Sequence, residues 1–123
     1  MARVLIVDDD RDAVPLFRRW LERLGHQVCA SSTGEGALRA LADSPFDLVL
    51  LDVFLPGISG YEVAKRMAED ERLRTIPVVM ISIAEREDLP ESPNVREWLL
   101  KPFRASDLRA TVARHAGEAG GSE

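Results

Sequence analysis

The stretch DLVLLDVFLPGISGYEV, residues 47–63, places four apolar residues, Leu48 to Leu51, directly before an acid, Asp52. A continuous apolar run of this length, in place of an alternating one, marks a strand whose sheet is covered by helices on both faces. Two more runs repeat the pattern, Val4-Leu5-Ile6-Val7 and Val78-Val79-Met80-Ile81. Gln27 to Ala30 and Trp98-Leu99-Leu100 read as weaker strands.

Between the strands lie helical patterns. The first sets Val14, Phe17, Leu21 and Leu24 on one face and closes at Gly25, a favourable residue just past a helix end. Pro15 suits a first turn only, which puts the start near Asp12. The second helix carries Ala37, Leu38 and Leu41 and ends at Ser44-Pro45. The third runs from about Gly60 to Glu69 with Val63, Ala64 and Met67 inward, and the last runs from near Ser106 with Leu108 and Val112 inward. Strands alternating with helices predict an α/β fold, a (βα)5 sandwich around a parallel five-stranded sheet. The segment from Ser82 to Trp98 is polar and carries Pro90 and Pro93, neither suited to a helix interior. It predicts one helical turn at Ala84 to Asp88 and then an extended loop, so that the fourth helix is short or irregular. Residues 1–116 are expected to form the domain, and the Gly-rich, polar tail GEAGGSE, 117–123, a flexible end or the stub of a linker.

The chain of 123 residues is long enough for one core and too short for two. Its net charge of −5, with no Lys/Arg-rich run, argues against direct nucleic-acid binding. Cys29 is the only cysteine, which excludes an internal disulfide and a thiolate metal cage. The apolar run in MARVLIVDDD is too short for a signal peptide, and no stretch approaches membrane-spanning length, so a cytoplasmic location is expected.

Ligands of open α/β sheets bind outside the carboxyl ends of the strands. Here the first strand ends in Asp8-Asp9-Asp10, the third in Asp52, the fourth in Ser82, and the fifth runs into Lys101. In a parallel sheet these four ends share one edge. Carboxylates gathered there repel unless a cation sits among them, and hard oxygen ligands with no His or Cys suit Mg²⁺ rather than Zn²⁺. Lys101 offers a compact positive charge and Ser82 a hydroxyl. A carboxylate nucleophile, a metal, an ammonium and a hydroxyl compose a phosphoryl-transfer site. Each residue also has a plainer reading. Asp10 reads as a helix cap without a metal role, Asp8 and Asp9 as turn acids, and Ser82 as a satisfied core hydroxyl. Asp52 and Lys101, each flanked by apolar residues, are harder to read as solvated charges.

The segments VLIVDDD (4–10), DLVLLDVFLPGISGYEV (47–63), VVMIS (78–82) and LLKPF (99–103), in this order, resemble the response-regulator receiver family over about residues 3–115. The resemblance implies a flavodoxin-like sheet of strand order 2-1-3-4-5. It implies that Asp52 is the phosphoacceptor, with Mg²⁺ held by Asp9 directly, by Asp8 through water, by Asp52 and by the backbone carbonyl of Phe54. It further implies that Ser82 and Lys101 contact the phosphoryl group, that the Lys101–Pro102 bond is cis, and that Trp98 stands at the switch aromatic. The plainer reading of Trp98 is a hydrophobic cover on the sheet edge. The positions that tune hydrolysis in the family are Phe54 and Ala84 here, neither able to orient a water. The implied donor is a histidine kinase or a phosphotransfer protein, and the implied state is a monomer or weak dimer in the cytoplasm. On this reading the chain is a regulatory phosphoacceptor rather than an enzyme.

Two other readings stay open. Asp8-x-Asp10 is similar to the nucleophile motif of haloacid-dehalogenase-type phosphatases, although Asp12 stands where that family has Thr or Val. The altered segment before the fifth strand suits an interaction module that works without phosphorylation. Kinase, target and pathway are not legible, nor is whether the domain works alone or within a longer protein.

Overall fold

The computed structural model describes residues 1–83 and 92–116. Strand β1 (Arg3–Val7) leads to helix α1 (Ala13–Glu22), β2 (Gln27–Ser31) to α2 (Gly34–Asp43), and β3 (Leu48–Asp52) to α3 (Gly60–Ala68). Then come β4 (Val78–Ser82), β5 (Val95–Leu100) and α4 (Ala105–His115). All pairings are parallel, in the order β2-β1-β3-β4-β5. This is the flavodoxin-like topology expected from the sequence.

The three apolar runs become β1, β3 and β4, the inner strands, and alternate side chains divide between two cores. Leu5, Val7, Val49, Leu51, Val78 and Met80 face α2 and α3. Val4, Ile6, Leu48, Leu50, Val79 and Ile81 face α1 and α4. Burying one such side chain stabilises the fold by ~1.5–3 kcal/mol, so a register slip that exchanged the faces is strongly disfavoured. The helix starts are fixed by local donors and acceptors. The Thr33 hydroxyl accepts from the Gly36 N–H at 3.0 Å, and Ser59 accepts from Glu62 at 3.2 Å. At the outer edge of the sheet, the Arg18 guanidinium donates to the Val28 carbonyl at 2.8 Å and blunts that edge.

Several details differ from the sequence reading. Strand β5 begins at Val95, three residues earlier than Trp98. Arg96 is the extra residue of a bulge between the Val78–Val95 and Val79–Glu97 pairs. Arg96 and Glu97 hide the strand in the sequence because they are charged, yet Glu97 has partners: Arg114 Nη2 at 2.6 Å, His115 Nε2 at 2.7 Å and Thr111 Oγ1 at 3.3 Å. Gly25 has the left-handed φ of +92°, but it lies two residues beyond the capping residue Arg23. Leu24 is 52% exposed and does not share the buried face of Phe17 and Leu21. The two histidines are both partly buried. The His115 side chain is 13% exposed against Glu97, and His26 Nδ1 accepts from the Ala2 N–H at 3.0 Å. The expected helical turn at 84–88, the loop through Pro90 and the tail 117–123 lie outside the described residues. Among the described residues no helix is long and apolar enough to cross a membrane.

Burial, and then the nearby positive amino terminus, hold the His26 imidazole below its usual pKa. The fold therefore favours neutral His26 while the unfolded chain takes up the proton first, so stability is lost as pH falls through the ordinary histidine range. Urea midpoints between pH 7.5 and pH 5.5 should fall more steeply in wild type than in His26→Asn. Identical slopes would show that His26 carries none of this dependence.

Candidate functional site

Strands β1, β3, β4 and β5 are consecutive neighbours in the sheet, so their carboxyl ends meet on one edge. Asp8 follows β1 and is 2% exposed; Asp52 ends β3 and is 7% exposed; Ser82 ends β4 and is buried. Lys101 follows β5, and its Nζ lies 2.9 Å from Asp8 Oδ2 and 3.3 Å from Asp52 Oδ2. The exposed Asp9 completes an acidic group in which Asp8, Asp9 and Asp52 each offer an oxygen, all within 4.8 Å of one another. The structure thus brings together Asp8, Asp9, Asp52 and Lys101 as the topology argument expects, with Ser82 on the adjoining strand end.

Backbone contacts hold each group in place. The Asp8 N–H donates to the Ser31 carbonyl at 3.0 Å, and Asp8 Oδ1 accepts from the Asp10 N–H at 2.9 Å. Asp52 Oδ1 accepts from the Phe54 N–H at 3.0 Å. The Lys101 N–H donates to the Ser82 carbonyl at 2.8 Å, which extends the β4–β5 ladder to the lysine itself. The Lys101–Pro102 peptide is cis. Gly60, to which the sequence reading assigned only a helix start, turns out to be a site residue. Its N–H donates to Val53 at 2.9 Å, and a Cβ at this position would stand 2.2 Å from the Asp52 carbonyl oxygen. A glycine opening a helix eight residues after a buried acid is the signal that could have revealed it.

Asp10 has another task. Its Oδ1 accepts from the Asp12 and Ala13 N–H groups at 2.9 and 3.1 Å, and these bonds draw its pKa below the ordinary value. It caps the start of α1 and is not among the three grouped acids. Phe54 points into solvent at 61% exposure. Trp98 is half-buried on β5, paired in register with Met80, its ring 6.1 Å from that of Tyr61 on the α2–α3 side of the sheet. It packs away from the acidic group, two residues before the strand ends. Ala84 lies outside the described residues.

The electrostatics follow from two buried carboxylates sharing one ammonium beside a third, exposed acid. Burial pushes the Asp52 carboxyl up to about 6; the Phe54 N–H opposes this, the negative charge of Asp8 adds to it, and Lys101 offsets only part. Burial alone would lower the Lys101 ammonium, but its hydrogen bond to Asp8 and the charges of Asp8 and Asp52 outweigh that and raise it. The excess negative charge and the all-oxygen donor set suit a hard divalent cation. Because the Asp52 pKa is higher folded than unfolded, the fold loses stability as pH rises from the ordinary carboxylate range through 6. Asp52→Asn should therefore raise the stability of the metal-free protein at pH 8 by ~1–2 kcal/mol, a gain that shrinks towards pH 4. Denaturant titrations of both proteins at the two pH values check this; a less stable variant at pH 8 would contradict it.

Comparisons with known proteins agree with this geometry. The sequence matches the family described as response regulator receiver domain over residues 4–113. It is 32% identical to protein PilH of Pseudomonas aeruginosa over 116 residues, which cover 91% of this chain and 95% of PilH. It is 45% identical over 115 residues to the virulence sensor protein BvgS of Bordetella pertussis, covering 87% of this chain but 9% of BvgS. The chain therefore spans nearly all of one relative and a small part of another. The crystal structure of the response regulator TrrA of Thermotoga maritima, in complex with Mg(2+)-BeF, superposes with a TM-score of 0.83 at 30% identity, covering 93% of this chain and 98% of that one. With its sheet order, its acidic pocket and its match along almost the whole length, this chain belongs to the response regulator receiver domain family of two-component signalling.

Proposed function

We propose that this receiver domain is a phosphorylation switch in which Asp52 accepts a phosphoryl group in the presence of Mg²⁺. The observation that carries the reading is the buried Asp52 carboxylate, bridged through Lys101 to Asp8 and grouped with Asp9. Asp8, Asp9, Asp52 and the Phe54 carbonyl are the groups that would hold the metal, Asp9 directly and Asp8 through water. Burial, with the charge of Asp8 adding to it, raises the Asp52 pKa, and a divalent cation at this site would favour the ionised carboxylate again. Mg²⁺, when bound, offsets negative charge on the transferring oxygens. The TrrA complex with Mg(2+)-BeF supports the assignment by likeness.

In the proposed transfer, an Asp52 oxygen attacks phosphorus in line. The new P–O bond forms as the bond to the donor breaks, and the donor leaves with the electron pair. The donor is a phosphohistidine of a histidine kinase or phosphotransfer protein, or a small molecule such as acetyl phosphate. Lys101 moves its hydrogen bonds from the carboxylates to a phosphoryl oxygen, and the Ser82 hydroxyl donates to another. That movement draws the end of β4 towards the site, and Trp98 turns inward as the surface it covers changes. The domain is a regulatory phosphoacceptor that catalyses only its own gain and loss of the group. It acts as a monomer or weak dimer in the cytoplasm on a protein target, without direct nucleic-acid contact, with residues 1–116 as its folded part and 117–123 as a tail.

Incubation with Mg²⁺ and acetyl phosphate, followed by intact mass and fragment-level site assignment, should show one phosphoryl group on wild type and none on Asp52→Asn. A group retained by Asp52→Asn would overturn the assignment. No gain in wild type, together with no Mg²⁺-induced rise in stability, would favour the phosphorylation-independent interaction module. The exposed Phe54 offers no polar atom to orient an attacking water. Phe54→Asn should hasten loss of the phosphoryl group by roughly three- to tenfold; unchanged decay would remove Phe54 from the control of lifetime.

A further inference from the structure

Two loops meet at the acidic edge and supply the two sides of the Lys101–Asp8 ion pair. One follows β1 and holds Asp8, Asp9 and Asp10 before α1; the other follows β5 and holds Lys101 and Pro102 before α4. An aromatic pair outside the site joins them. The ring of Phe103, two residues beyond Lys101, stacks on that of Phe17 from α1, with centroids 4.9 Å apart and planes 24° apart. Phe17 is itself buried and leans on Trp20 at 5.8 Å. Both phenylalanines belong to the core between the sheet and the pair α1 and α4.

We propose that the Phe17–Phe103 stack is a positioning device that seats Lys101 over the acidic group whatever the charge state of that group. The ion pairs alone cannot serve this purpose. The 2.9 and 3.3 Å contacts to Asp8 and Asp52 strengthen or weaken with the charge at the acidic edge, which a cation or another anionic oxygen would change. A strut for the lysine loop therefore has to be independent of charge, and a neutral aromatic stack is. The backbone supplies the opposite end of the same frame, where the Lys101 N–H is tied to the Ser82 carbonyl. The segment between this bond and the stack is Lys101 and Pro102, too short to wander when both ends are held. Loss of the ring loosens one end, and the Nζ atom then samples positions away from both carboxylates.

The chain contains two lysines, Lys65 and Lys101, which allows a test that does not depend on phosphorylation. Lys65 is exposed on α3, whereas the Lys101 side chain is 16% exposed and ion-paired. Brief acetylation of the metal-free full chain with an amine-reactive ester, with peptides quantified by mass spectrometry, reads the Lys101-to-Lys65 labelling ratio. Phe103→Leu and Phe17→Leu should raise this ratio about fivefold or more, and Phe103→Tyr, which keeps the ring, should hold it within about twofold of wild type. A second arm rests on the reading of Asp52 as phosphoacceptor. At saturating Mg²⁺, Phe103→Leu should slow phosphorylation by acetyl phosphate about tenfold while calorimetric Mg²⁺ affinity stays within about twofold, since the lysine is not a metal ligand. An unchanged labelling ratio in folded Phe103→Leu overturns the proposal, as does a loss of Mg²⁺ affinity equal to the loss of rate. If wild type takes up no phosphoryl group, the phosphoacceptor reading fails, and the labelling ratio still decides the role of the stack.

Discussion

A single ammonium placed between two buried carboxylates is the constraint around which this protein is organised. Lys101 bridges Asp8 and Asp52, two acids that are both nearly inaccessible to water. Burying like charges side by side is costly, and one lysine shared between two acids leaves a surplus negative charge at the edge of the sheet. Burial first, and the charge of Asp8 after it, hold the Asp52 carboxyl above its ordinary pKa. Such an arrangement is poorly optimised for stability, and its tension is useful. The surplus charge is available to a cation, and the lysine is available to an incoming anion.

The rest of the fold keeps that tension from relaxing. Three strands buried on both faces fix the distances between the ends of β1, β3 and β4, because a shift in register would carry every core side chain to the wrong layer. Loop details complete the work. Both oxygens of Asp8 and both of Asp52 are engaged, one by a backbone N–H and one by Lys101 in each case. The carboxylates therefore cannot rotate apart without losing a bond. Gly60 allows the loop after β3 to fold back against Asp52, where any side chain would collide with its carbonyl oxygen. On the other side, the Phe17–Phe103 stack closes the space between the lysine loop and α1.

Strand β5 links this edge to the rest of the surface. It carries Lys101 at its end, Trp98 two residues before that end against Tyr61, and Glu97 in contact with Arg114, His115 and Thr111 of α4. A displacement of β5 would therefore be felt at once on the α3 side, through an aromatic contact, and along the last helix, through charged hydrogen bonds. Two such couplings of different chemistry on one edge strand tie the acidic edge to α3 and to α4.

Much of this was legible in the linear chain, for an identifiable reason. The runs at 4–7, 48–51 and 78–81 declare inner strands because burial on two faces imposes a purely local composition. Acids and a lysine at the ends of such runs fall on one edge as soon as the strands are parallel, so Asp8, Asp9, Asp52, Ser82 and Lys101 could be named without coordinates. The charged start of β5 could not, since Arg96 and Glu97 break the apolar pattern and find their place through a bulge and the facing helix. The same holds for the partner of His115, for the close approach at Gly60 and for the stacking of Phe103 on Phe17. Lys101 and Asp8 are separated by 93 positions along the chain and by 2.9 Å in space. Residue type and strand position announce which groups reach the edge, whereas the distances between them depend on helix packing and register, which are properties of the whole chain.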